Sequence, residues 1–286
     1  MPMNLFRRSP KRLLFALAHP LGVLATLYRI HRFRRPFQLF RAYLTRTCPP
    51  SLRIETRKGQ RIFLTGDADD VVVVLTVLGR RTYGPVPKGG LVIDVGAHLG
   101  TFSLYAISQG AGRVYAYEPD PVLSDVLQRN LTANGLQDVV HFTRAAVIGS
   151  GPSEVMFYPE GNASGHLEPR SGDKSGITVP ATTLVQILRT NQLERIDLLK
   201  LDCEGSEYGI IFDSPDDVWT RFGRICIEYH RAQTERIERR LLGLGFRKTG
   251  MRRHSDQVGL IFFESGQRTR PKVPPTTAQA VKNRNR

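Results

Sequence analysis

Between Leu91 and Tyr229 the chain repeats one pattern, an apolar run of strand length followed by a segment of helical length. Runs at 91–95 (LVIDV), 113–118 (RVYAYE), 139–144, 195–202 (RIDLLKLD) and 224–229 (RICIEY) read as strands. Helices are expected at 99–109 and 121–134, between the first three. Parallel strands need crossovers, and crossover helices bury both faces of a sheet, which is why such strands can be apolar almost throughout. The pattern therefore predicts an α/β fold around a mostly parallel sheet. A helix at about 232–244 and strands at 245–250 and 257–264 follow. With no helix between them, the last two strands predict an antiparallel closing hairpin at one edge. A hairpin-like strand is expected around 153–158. The Gly/Ser-rich, polar stretch 159–178 reads as a loop over one end of the sheet.

Ahead of the repeat, 51–57 (SLRIETR) and 61–65 (RIFLT) read as a hairpin across Lys58-Gly59-Gln60. Asp67 to Arg80 reads as a helix with Asp69 and Asp70 in its first turn. The expected division is a basic helical segment (1–50), a hairpin and helix leading into the core (51–90), the α/β domain (91–264) and a basic disordered tail (265–286).

Charge separates the ends from the middle. Of 41 Lys and Arg, ten lie in residues 1–50 and six in 265–286, and neither stretch holds an acid. The intervening residues have 25 basic and 26 acidic side chains, so the net charge of +15 belongs to the ends. A hydrophobic share of 41% excludes a wholly disordered chain. Three cysteines (Cys48, Cys203, Cys226) without CxxC spacing exclude a disulfide framework and fit a reducing compartment. Leu13 to Tyr28 is too short and too interrupted for a spanning helix, which needs about 20 apolar residues. Flanked by arginines, it reads either as a segment lying on an anionic membrane from the cytoplasmic side or as a helical cap on the domain. The near-neutral middle and the absence of an Asn/Asp-Pro-Pro-Tyr segment argue against a nucleic-acid partner.

Chemistry concentrates where strands end. Asp94-Val95-Gly96-Ala97-His98-Leu99-Gly100 follows the first strand and opens a helix. Gly96 permits a tight turn, Gly100 permits close helix–strand approach, and the N–H groups of the next helix suit a carboxylate or phosphate, with Ala97 and His98 counted among the cofactor-binding residues of this loop. Glu118 ends the next strand, where an acid accepts hydrogen bonds from ribose hydroxyls, and Asp120-Pro121 suits a helix start. These two signals fit a nicotinamide cofactor or S-adenosylmethionine (SAM). Asp94, placed before the first glycine, favours the ammonium and sulfonium of SAM over a pyrophosphate. Asp202, Glu204 and Glu207 cluster at the end of the 195–202 strand, and Glu228 and His230 at the end of the next. Asp202, Glu204 and His230 are the catalytic candidates, to orient a hydroxyl or take its proton. Glu207 also suits a helix start, and no metal site is expected.

The set VIDVGAHLGTFSL, YAYEPDP, NLTANGL, VPATTL, IDLLKLDCEGSE and IEYH resembles the FkbM-type SAM-dependent methyltransferases, from about Leu91 to about His230. The resemblance implies a Rossmann-like class I SAM methyltransferase sheet, here with an N-terminal helical appendage. It implies O-methylation of a hydroxyl on a sugar, glycan or natural product. It assigns Asp94, Gly96 and Gly100 to the methionyl end of SAM and Glu118 to the ribose. His98 departs from a common Asn, and Leu184-Val185 from a frequent Leu-Asp. The alternatives are an NAD(P)-dependent Rossmann oxidoreductase and a non-catalytic module that binds a membrane or partner through its tails.

Overall fold

The computed structural model describes residues 28–160, 164–169, 175–230, 234–255 and 257–266. Most of the apolar run Leu13 to Tyr28, and nearly all of the C-terminal tail, lie outside the described residues.

Seven strands form the central sheet: β3 (Leu91–Val95), β4 (Arg113–Tyr117), β5 (Val140–Thr143), β10 (Leu198–Leu201), β11 (Arg224–Tyr229), β12 (Phe246–Arg253) and β13 (Gly259–Ser265). Their spatial order is β12-β13-β11-β10-β3-β4-β5. The five from β11 to β5 are mutually parallel. β13 runs antiparallel to both β11 and β12, which is the closing hairpin expected at one edge. The chain builds outward from β3 to β5, then returns to place β10 on the other side of β3. Ligands bind outside the carboxyl ends of strands at such a reversal.

Period-two alternation sends neighbouring residues to opposite layers. Val92, Val114, Leu198 and Cys226 join one buried cluster, and Ile93, Tyr115, Leu199 and Ile225 the other. Helices α3 (Thr101–Ser108) and α4 (Pro121–Ala133) cover the first face; α5 (Leu184–Thr190), α6 (Glu207–Asp213), α7 (Asp216–Trp219) and α8 (Thr234–Gly243) cover the second. Local chemistry sets their starts. The Asp120 carboxylate accepts from Val122 N and Leu123 N, with Pro121 at the first turn of α4. Thr183 and Gln186 form a reciprocal capping box on α5.

The first face is completed by the N-terminal segment. α1 (Pro36–Thr45), the hairpin β1 (Arg53–Glu55) and β2 (Arg61–Phe63), and α2 (Ala68–Val74) contribute Leu39, Ile54, Ile62 and Val71 to the same core. Ile30 and Phe33 are also buried there, so residues 28–46 pack as a cap on the domain. The helix expected over Asp67 to Arg80 is α-helical only to Val74. It continues as a π-helical turn, Leu75–Gly79, that redirects residues 80–83 toward the sheet. Such turns are frequent at functional sites.

The stretch 159–178 is not a plain loop. β6 (Ala146–Ile148), β7 (Glu154–Glu160), β8 (Ser164–His166) and β9 (Ile177–Thr183) form a second sheet in the order β6-β9-β7-β8. Its small core is Ala146, Phe157 and Val179. Glycines and serines disguise β8 in sequence, because its pairing with β7 relies on backbone bonds rather than apolar side chains. No helix among the described residues is long and apolar enough to cross a membrane.

Candidate active site

A cavity of about 810 Å³ opens at the carboxyl ends of the central strands, within the roughly 300–1,000 Å³ usual for small-molecule sites. Gly96, Ala97, His98, Glu118, Asp202 and Glu204 line it, and His230 joins them from the end of β11. Four chain segments, separated by as much as 134 positions, thus meet on one wall.

The β3–α3 turn is built around a close approach. Gly96 has φ +72°, and a Cβ there would lie 1.7 Å from the Asp202 carbonyl oxygen. Only glycine fits where these two strand ends cross. His98 (φ +54°) completes the turn, and its N–H donates to Glu118 Oε2 at 2.8 Å. Asp120 N donates to Glu118 Oε1 at 3.0 Å. Burial pushes the Glu118 carboxyl up to about 7 against these two bonds. Glu118 lines the cavity, and each of its oxygens has a second lone pair beyond these bonds. Gly100 stands back from the cavity; a Cβ there would press on Leu127 at 3.1 Å, so its part is helix packing.

Asp94 is fully buried and does not line the cavity. Its carboxylate takes Lys200 Nζ at 3.0 Å and the Ser103 hydroxyl at 2.8 Å. Asp94 and Lys200 face each other across the β3–β10 register. Lys200 Nζ also donates to the Gly96 carbonyl at 2.6 Å and lies 3.6 Å from Asp202 Oδ2. Burial opposes its charge, but Asp94 and Asp202 outweigh that and raise its pKa. Asp94 therefore acts on the β3–α3 turn through Lys200, a residue to which the sequence assigned no role. Its signal was a lysine at an interior position of an apolar central strand.

The acid cluster divides into framework and floor. Glu207, fully buried, accepts from Cys203 N at 2.6 Å and Gly205 N at 2.8 Å, and so closes the turn after β10. The clasp holds Glu204 at φ +56°, a conformation that costs a non-glycine residue about 1–3 kcal/mol. His230 Nδ1 lies 3.2 Å from Glu207 Oε1, while its Nε2 lies 3.7 Å from Glu204 Oε2 and 3.9 Å from Asp202 Oδ1. Burial works against a charged ring, but Glu207, Glu204 and Asp202 prevail and lift the imidazole well above its usual range. His230 is therefore a cation at neutral pH. Burial also disfavours the Asp202 anion, yet Lys200, His230 and the Tyr83 hydroxyl hold its carboxyl below the usual value. Glu204 is different: burial pushes it up to about 7, and His230 only partly offsets this. Asp202, Glu207 and His230 lie close enough to suggest a cation site. Both Glu207 oxygens also accept from backbone N–H groups, which ties this group to the turn after β10.

Tyr83 was not legible in the sequence. It follows the π-helical turn, is buried, and donates its hydroxyl to Asp202 Oδ2 at 2.5 Å. Glu228 Oε2 lies 3.0 Å away on the other side. Burial and the Asp202 charge raise the Glu228 carboxyl.

A profile of the methyltransferase FkbM domain matches residues 94–248. Methyltransferase sdnD of Sordaria araneosa is 27% identical over 174 residues, which is 50% of this chain and 67% of that protein. The 31-O-demethyl-FK506 methyltransferase FkbM of Streptomyces tacrolimicus is 27% identical over 173 residues, covering 50% and 66% respectively. An arginine N(omega)-methyltransferase of Streptomyces achromogenes subsp. streptozoticus is 30% identical over 77 residues, 27% of this chain and 20% of that one.

Proposed function

Because this chain belongs to the FkbM-domain methyltransferases and uses SAM as its cofactor, we propose that it methylates a hydroxyl oxygen of a small acceptor such as a sugar, glycan or natural product. The supporting observation is the cavity floor, where Asp202, held below its ordinary value, and Glu204, pushed up to about 7, both lie within 4 Å of His230 Nε2. One relative's name describes an O-demethyl acceptor, which fits an oxygen nucleophile.

The residues fit the cofactor. Glu118, with one acceptor site left on each oxygen, would hold the ribose, and the Gly96 turn would take the methionyl end. When bound, SAM supplies a methyl group activated by a sulfonium. Lys200 fixes the loop by binding the Gly96 carbonyl, so the turn is set before any ligand arrives. Asp202, charged and pinned by Lys200 and Tyr83, orients the acceptor hydroxyl by accepting its hydrogen bond. Glu204 receives the hydroxyl proton as the new bond forms, a role that contributes about 10²–10⁴-fold. His230, already protonated, fixes the two carboxylates and is not the base. A hydroxyl needs such a proton acceptor because its own pKa lies far above neutrality.

The test uses the purified chain with methyl-¹³C SAM and an extract of glycans and metabolites. The expected product carries one labelled methyl group whose ¹³C chemical shift is that of a methoxy carbon. An N-methyl shift would overturn the oxygen assignment and leave methyl transfer standing. In parallel, Glu118→Ala removes two charge-assisted bonds from the cofactor wall. Calorimetry is expected to show S-adenosylhomocysteine (SAH) binding weakened by about 1.5–3 kcal/mol. Unchanged affinity would remove Glu118 from the site.

A further inference from the structure

The floor of the cavity is matched in charge, but its mouth is not. Arg80 and Arg252 line the mouth, and neither has a carboxylate partner among the described residues. Arg46, which follows α1, is paired with Asp69. Both unpaired guanidinium groups are nonetheless positioned. Arg252 Nη1 donates to the Thr82 carbonyl at 2.8 Å, and its guanidinium stands 5.5 Å from the Phe262 ring centroid. Arg80 Nη2 lies 3.4 Å from the Tyr43 hydroxyl. Each anchor leaves several N–H donors of the fork available. Thr82, which holds Arg252, lies two residues after Arg80 and immediately before Tyr83, which donates to Asp202.

We infer that the acceptor is a phosphorylated hydroxyl compound, its phosphate or diphosphate ester seated by Arg80 and Arg252 while its free hydroxyl reaches Asp202 and Glu204. Planar guanidinium forks match phosphate oxygens two at a time, and the mouth repels a cationic acceptor. Arg80 and Arg252 both lie outside residues 94–248, the span shared with the family. The anion seat therefore belongs to the parts of this chain that frame the conserved domain, which is where acceptor choice can vary while the cofactor site stays fixed. This inference rests on the methyl-transfer reading of the floor.

The experiment is calorimetry on the full chain saturated with SAH, titrated at constant ionic strength with pyrophosphate, inorganic phosphate or acetate. Pyrophosphate is expected to bind, phosphate more weakly and acetate least. Arg80→Ala and Arg252→Ala are each expected to weaken pyrophosphate tenfold or more while keeping SAH affinity. Arg113→Ala is the control, an exposed arginine at the opposite, amino end of β4, and is expected to change nothing. Glucose 6-phosphate and phosphatidylglycerol vesicles form a second pair of probes, and the soluble ester is expected to compete with pyrophosphate. If the SAH complex ignores pyrophosphate, if acetate binds better, if Arg113→Ala weakens it as much, or if only vesicles compete, the phosphate seat is wrong. A chain that fails to bind SAH at all removes the methyl-transfer reading, and this inference with it.

Discussion

At position 200 a lysine sits between Leu199 and Leu201 in a strand whose four residues are all buried. An isolated ammonium there would be expensive, and it persists because Asp94, Asp202 and two backbone carbonyls surround it. Its consequence reaches two residues further. Asp202 is held below its ordinary value and His230 raised well above its own, while Glu204 is pushed up to about 7, where it exchanges a proton near neutral pH. A base must be deprotonated to act, so turnover is expected to rise with pH through about 7 and then level. Glu204→Gln is expected to lower kcat by about 10²–10⁴-fold and to remove that acidic limb from the pH–rate profile. A variant that retains the limb would transfer the role elsewhere. The sequence placed Asp202, Glu204 and His230 together as candidates but gave no means of ranking them. Their order depends on which charges lie within 4 Å, and that is a property of packing.

Among the elements, the described part of the N-terminal segment, residues 28–46, packs on the domain. Arginines around apolar residues suit either a membrane surface or a cap, since both bury the same stripe. Within residues 28–46, Ile30, Phe33, Leu39 and Ala42 are buried while Tyr28 and Phe37 are exposed; Phe33 is 1% exposed, pairs with Thr56 of the hairpin region and packs near Gly79 of the π-helical turn. Phe33→Ala is therefore expected to cost about 3–5 kcal/mol in a denaturant titration, as for other buried phenylalanines. A cost within 0.5 kcal/mol, the usual range for surface positions, would show that the segment is not part of the core. The same packing carries Tyr83 and Arg80 to the cavity. The π-helical turn that delivers them has no composition of its own, because Leu75–Gly79 reads like any apolar helical run.

For the molecule as a whole, gathering titratable groups at one end of the sheet ties stability to pH. In the folded chain the carboxyls of Asp70, Glu118 and Glu204 titrate near 6, 7 and 7, against ordinary values of 3.8, 4.5 and 4.5. The fold binds more protons than the unfolded chain across that window, so stability falls as pH rises through it. His230 acts in the same direction: its raised pKa adds stability that is complete below 6.5 and lost as pH climbs through the folded value. Asp202, held low, loses its contribution only in acid, below its ordinary value of 3.8. The melting temperature of the ligand-free chain is thus expected to fall between about pH 5 and pH 8, by about 2–4 °C for each kcal/mol. A flat or rising profile in thermal melts would contradict the buried-carboxyl picture. What the sequence determined alone was local and periodic: the βα alternation, the Gly96 turn, the Asp120-Pro121 helix start and the acids at strand ends. Each follows from spacing within about a dozen residues. Only the tertiary structure decided that Tyr83 meets Asp202 across 119 positions, that Arg252 meets Thr82 across 170, and which acids are charged. Side-chain spacing along a strand fixes which face a carboxyl takes, but its proton affinity is set by burial and by neighbours that only the folded chain brings within reach.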